Sequence, residues 1–134
     1  VFTMQVDATP GPEVGLSMDN WNGYTAARQR LYDGVRDRGV ENFVILTGDS
    51  HRSAASDLKI NFDDQASQTI GTEFLGTSVT SGGNGADLDA TGRQWLAENP
   101  HLKFHNAQRG YVRCEVTPII EAGRAGIAQV EKNA

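Results

Sequence analysis

Apolar and polar positions follow several rhythms along this chain. In YTAARQRLYDGVRDRG, Tyr24, Ala27, Leu31 and Val35 recur at spacings of three and four, the period of one helix face. Thr25 stands where an N-cap belongs and Gly39 where the helix should stop. NFVILTG follows with four consecutive apolar residues, Phe43 to Leu46, which predicts a strand covered on both faces. SAASDLKINFDD alternates at Leu58, Ile60 and Phe62 and predicts a second strand. TEFLGTSVTSGGNG starts as a strand around Glu73 to Leu75 and dissolves into a Ser/Thr/Gly-rich loop. DATGRQWLAENPH predicts a short helix with Asp89 as N-cap and Trp95 and Leu96 inward. It ends before Pro100, because the residue preceding a proline avoids helical geometry. LKFHNAQRGYVRCEVTP predicts two strands, the second with Val112, Cys114 and Val116 on one face. Asp7 to Gly15, DATPGPEVG, carries no period and reads as irregular loop. The tail from Ile119 has too little pattern to assign, and there is no internal repeat. A helix feeding a buried strand is the signature of an α/β fold.

Composition narrows this picture. A chain of 134 residues with 38% hydrophobic content suffices for one domain with a core, and is too short for two ordinary ones. The formal charge of -5, from 17 acidic and 12 basic side chains without a basic block, argues against scaffold binding to nucleic acid by phosphate neutralisation. No apolar run approaches a membrane span, and VFTMQVDATP lacks the basic head and cleavage site of a signal segment. A single cysteine, Cys114, excludes an internal disulfide framework. The opening VFTMQV is strand-like and has no initiator methionine, which suggests that residues precede Val1.

Three stretches carry candidate chemistry. VILTGDSH ends a buried strand in Asp49 and His51, and ligands of open α/β sheets gather outside the carboxyl ends of strands. Asp49 offers a hard oxygen, His51 an imidazole nitrogen, and one intervening residue lets both reach one ion. On spacing alone, capping by Asp49 and a surface role for His51 account for the pair as well, since Asp-x-His is common by chance. TSVTSGGNG could form an anion-binding nest at Ser81, Gly82 and Gly83. It lacks the ending of a nucleotide P-loop, which removes an ATPase reading. In SMDNWNGY, Trp21 and Tyr24 precede the first helix and are expected to staple it to the sheet. Cys114 reads as a small buried hydrophobe, and His101 and His105 as surface or structural residues.

Taken together, SMDNWNGYTAARQRL, VILTGDSH, DLKINFDD, GTEFLGTSVTSGGNGAD, ENPHLKF and RGYVRCEVTP occur in the order found in the C-terminal half of PhoD-like alkaline phosphatases. The resemblance is strongest over residues 18–118, within a reading of 1–134 as the C-terminal portion of that catalytic domain. It implies the fold of the calcineurin-like metallophosphoesterases, a β-sandwich flanked by helices, of which this chain would be a part. It implies hydrolysis of phosphate mono- and diesters outside the cytoplasm, with iron(III) and calcium as cofactors or other divalent metals in their place. In the family pattern the Gly-Asp-x-His segment delivers two metal ligands, here Asp49 and His51. Trp21 and Tyr24 fall in a family motif that shapes or supports the site.

Departures from the pattern qualify these expectations. The family has an aliphatic residue where Ser50 stands and a small one where Arg52 stands; Arg52 would either direct a cation at substrate or disturb the loop. The tail 119–134 does not follow the tryptophan-containing strand expected there. The motifs supplying the remaining ligands would lie before Val1. The chain alone is thus expected to bind metal weakly and to turn over little or no phosphate ester. Its expected partners are substrate, the missing N-terminal half of the domain, and further copies of itself through exposed sheet surface. The alternative is a non-catalytic truncated module that binds a partner or anion through the Gly-rich loop or a sheet edge.

Overall fold

The computed structural model describes residues 2–81, 84–114 and 129–132. A 3-10 turn, Trp21–Tyr24, leads into α1, Thr25–Asp37. Then follow β1, Phe43–Thr47, β2, Ser53–Lys59, and β3, Thr69–Leu75. After these come α2, Ala90–Glu98, β4, Leu102–Asn106, β5, Gly110–Arg113, and β6, Gln129–Lys132. Strands β1 to β4 form one sheet in the order β1-β3-β2-β4, while β5 and β6 pair as a separate antiparallel ribbon. Only β1 and β3 run parallel; β2 is antiparallel to both β3 and β4. The α/β class read from the sequence holds.

Register divides the sheet into two unlike faces. Phe43, Ile45 and Thr47 lie beside Gly71, Glu73 and Leu75, which in turn lie beside Leu58, Ser56 and Ala54. This face packs beneath Phe2, Met4 and Val6 of the N-terminal segment, Tyr32 and Val35 of α1, and Trp95 of α2, forming the core. The opposite face carries the row Leu46, Phe74, Ala55 and Phe104. There Val44 is 50% and Leu46 62% exposed. The four apolar residues of β1 therefore do not sit in a strand covered on both sides, as their run predicted. β1 is an edge strand, and one of its faces is open among the described residues.

Helix α1 forms where expected but is turned. Its buried residues are Arg28, Tyr32 and Val35, whereas Tyr24 is 66% exposed and Leu31 is exposed. The reason is polar. Arg28 donates to Asn22 Oδ1 at 2.8 Å and Gln5 Oε1 at 2.9 Å, its guanidinium carbon lies 4.9 Å from the Phe62 ring centroid, and Tyr32 donates to Thr3 Oγ1 at 3.1 Å. A buried arginine and tyrosine with partners take the places expected for Ala27 and Leu31, while Val35 is buried as the stripe predicted. Thr25 is the first helical residue and not the cap; Asn20 caps the preceding turn by accepting from Asn22 N–H. The staple by Trp21 and Tyr24 is likewise absent, since Tyr24 points to solvent. The stop is as read: Gly39, at φ 60, donates to Arg36 O and Val40 to Val35 O, a left-handed cap that closes the last carbonyls.

Other boundaries also shift. β2 ends at Lys59, leaving Ile60 and Phe62 in the turn to β3. Asp89 caps α2 by accepting from Gly92 N–H at 2.7 Å, as expected. Gly92 is needed there, because a Cβ would lie 2.3 Å from His105 Nδ1. Cys114 is exposed and follows β5, so it is no core residue; Val116 lies outside the described residues. His101 and His105 are buried and so are not surface residues. The unassigned tail contributes β6. Among the described residues no helix is long and apolar enough to cross a membrane.

Candidate functional site

β1 and β3 are parallel and end together, Thr47 opposite Leu75, so their two following loops rise side by side. Gly76 N–H donates to Thr47 O at 2.8 Å and pins them at the base. From β1 comes Gly48–Arg52; from β3 comes the Gly76–Ser81 stretch. Asp49 and His51 both adopt left-handed backbone, φ 80 and φ 53, which costs a residue other than glycine about 1–2 kcal/mol. Strain of this kind, held by its surroundings, concentrates at functional turns.

The turn sends its side chains in two directions. Asp49 and Ser50 line a cleft of about 250 Å³ together with Phe2, Ser17, Asp19, Asn20 and Trp95. His51 faces the other loop, with Nε2 3.4 Å from Ser81 Oγ. Arg52 turns back into the fold, its Nη1 2.9 Å from Asp89 Oδ2 and its guanidinium carbon 5.7 Å from the Trp95 ring centroid. Of the residues singled out from the sequence, His51 and Ser81 thus come together, whereas Asp49 lines the cleft, which neither of them lines. Trp21 and Tyr24 do not line the cleft, though their turn carries Asn20 at its cap. Gly82 and Gly83 lie outside the described residues. The flanks of that stretch are tied to β5: Arg109 donates to Thr80 O and Asn84 Oδ1, and Gly110 N–H to Ser78 O.

Burial shapes the charges behind the site. Desolvation pushes the Asp89 carboxyl up, but the Gly92 N–H and the Arg52 guanidinium outweigh it and hold it below its usual value. His105, buried against Trp95 with ring centroids 5.6 Å apart, is held below the usual imidazole value by desolvation and by Arg52, against the pull of Asp89. Glu73, fully buried beneath the loops, accepts from Thr47 Oγ1 at 2.6 Å, Thr3 Oγ1 at 2.8 Å, Met4 N–H at 2.6 Å and Thr3 N–H at 3.0 Å. Tyr32, donating to Thr3, is pushed up to about 12 mainly by burial.

Sequence reasoning missed Asp19 and Asn20 as cleft residues and Glu73 as the support under β1. SMDNWNGY drew attention to its aromatics when its short polar residues face Asp49. For Glu73 a signal existed: it is the lone charge within TIGTEFL, and a charge inside an otherwise apolar strand needs partners.

Sheet, loop pair and carboxylate–imidazole turn together define a mixed α/β protein with ligand-type side chains at the carboxyl ends of its parallel strands. The profile of the PhoD-like phosphatases matches residues 1–122, and the chain belongs to that family. Alkaline phosphatase D of Bacillus subtilis (strain 168) is 53% identical over 102 residues, covering 76% of this chain and 18% of that protein. A solved structure described as the structure of PhoD superposes with a TM-score of 0.80 at 46% identity, covering 85% of this chain and 22% of that one. The chain thus spans about a fifth of the length of the relatives it matches.

Proposed function

We propose that this chain supplies part of the active site of a metal-dependent phosphatase that hydrolyses phosphate mono- and diesters, with Asp49 and His51 as its metal ligands. The observation that carries the reading is the left-handed Gly48–Arg52 turn, which spends backbone strain to aim one carboxylate and one imidazole out of the sheet. Kinship with a protein named alkaline phosphatase D supports the chemistry. The donors suit the ions the family implies: a hard carboxylate oxygen for calcium or iron(III), and a nitrogen that iron also accepts. Such ions supply Lewis acidity toward a phosphoryl oxygen and an attacking water, and offset charge on the leaving oxygen. Asp49 contributes negative charge at the cleft wall, and His51 a neutral nitrogen oriented by its neighbours.

Among the described residues no group of three His, Cys, Asp or Glu side chains is placed to hold an ion. On this reading the remaining donors are supplied from outside the described residues. Export from the cytoplasm belongs to the same proposal. The test is turnover of a chromogenic phosphodiester and a monoester with iron and calcium, by the chain alone and by the chain joined to the rest of the domain. We expect turnover only in the joined form. Asp49→Ala and His51→Ala are each expected to lower its metal content and to cut turnover by at least about 100-fold. No turnover in the joined form would leave the non-catalytic module standing instead.

A further inference from the structure

Two left-handed residues in a five-residue turn need anchors, and this turn has one at each end. At its entry Thr47 Oγ1 donates to Glu73 at 2.6 Å. At its exit Arg52, directly after His51, reaches α2 through the 2.9 Å ion pair with Asp89 and the ring of Trp95. The pair is partly covered, with 26% and 32% of the two side chains exposed, so solvent and salt screen it less than a surface pair. Its far end is fixed. Asp89 Oδ1 caps α2 through Gly92, and Trp95 packs edge-on to Phe2 at 6.0 Å and to His105.

We propose that Arg52 is a positioning residue, which holds the Gly48–Arg52 turn in its left-handed form by clamping onto Asp89, and so aims Asp49 into the cleft and His51 toward Ser81. This rests on the reading of Asp49 and His51 as ligands. Arg52 is committed to the fold: its charge is matched by Asp89 and its plane lies near an aromatic face, so it does not serve as a cation directed at substrate.

The test compares Arg52→Ala, Arg52→Lys and Asp89→Asn. Asparagine caps a helix as well as aspartate does, so Asp89→Asn removes the ion pair and leaves α2 capped. In the 134-residue chain, φ-sensitive three-bond NMR couplings of Asp49 and His51 are expected to lose their positive-φ values in R52A and D89N and to keep them in R52K. Helix content by circular dichroism should stay unchanged in D89N. In the chain joined to the rest of the domain, R52A and D89N are expected to lower kcat by about 10–100-fold with KM unchanged, the usual scale for residues that orient ligands. R52K should recover most of that loss. Unchanged couplings in R52A and D89N would overturn the clamp. So would a loss of turnover confined to R52A, which would make Arg52 a substrate contact. If the unsubstituted joined form has no metal-dependent turnover, the ligand reading falls alone, and the couplings still decide the clamp.

Discussion

Glu73 gathers four donors from two distant parts of the chain, and its worth can be measured directly. Glu73→Gln places an amide NH2 against N–H and O–H groups that need an acceptor, and a buried donor left unsatisfied costs about 1–3 kcal/mol. We expect a drop in stability of that size in urea unfolding, with the slope of the transition unchanged. His105 predicts a pH dependence. Its folded pKa lies below the unfolded value of about 6.5, so the unfolded chain takes up the proton first. Its stabilising contribution is complete above pH about 6.5 and is lost as pH falls toward the folded pKa. His101 is shifted the same way by burial, opposed by its hydrogen bond to Gln5 O. Melting temperature should fall between pH 7 and 5, and His105→Phe should flatten that slope. At this scale the sequence was legible where a role depends on neighbours: Asp89 as cap, Gly39 as stop. It was opaque where the partner is remote, as for Glu73 and Thr3, 70 positions apart.

Elements form where their period says, but their orientation follows partners the period cannot see. α1 turned because Arg28 and Tyr32 have bonds waiting in the N-terminal segment, and an apolar count ranks them below Leu31. β1 reads as doubly buried because periodicity records what a strand's faces can tolerate, and two of its apolar residues lie open in this chain. The N-terminal segment, strand-like in sequence, joins no sheet ladder among the described residues. Side chains satisfy its backbone instead: Glu73 at Thr3 and Met4, His101 at Gln5 O, and Asn99 at both N–H and C=O of Asp7. The packing of α2 gives the prediction at this scale. Gly92→Ala gains about 1 kcal/mol in helix propensity but drives a methyl into the His105 ring, and overpacking costs about 1–3 kcal/mol. The ring is wedged against Trp95 and cannot give way cheaply. We expect net destabilisation in thermal melts, relieved by the double variant Gly92→Ala with His105→Ala.

For the molecule as a whole, the sheet face that is open at β1 among the described residues bears on behaviour in solution. Leu46, Phe74, Ala55 and Phe104 make an apolar row across all four strands beside the exposed edge of β1, and such surfaces associate. Sedimentation velocity is expected to show self-association that Leu46→Lys reduces, and a concentration-independent monomer would refute it. The class of fold was legible from local order in the sequence. The cleft was not, because Phe2, Asp19, Asp49 and Trp95 meet only after the chain has folded around the sheet. The same folding gives the first residues a weight out of proportion to their number. Deleting Phe2 to Val6 would do more than shorten a terminus. It would leave the Glu73 carboxyl on an apolar sheet face with Thr47 as its remaining partner, short of the three groups that Thr3 and Met4 donate. A truncation at that end therefore acts on the Gly48–Arg52 turn from below, through Glu73 of β3 and its bond to Thr47 at the turn's entry.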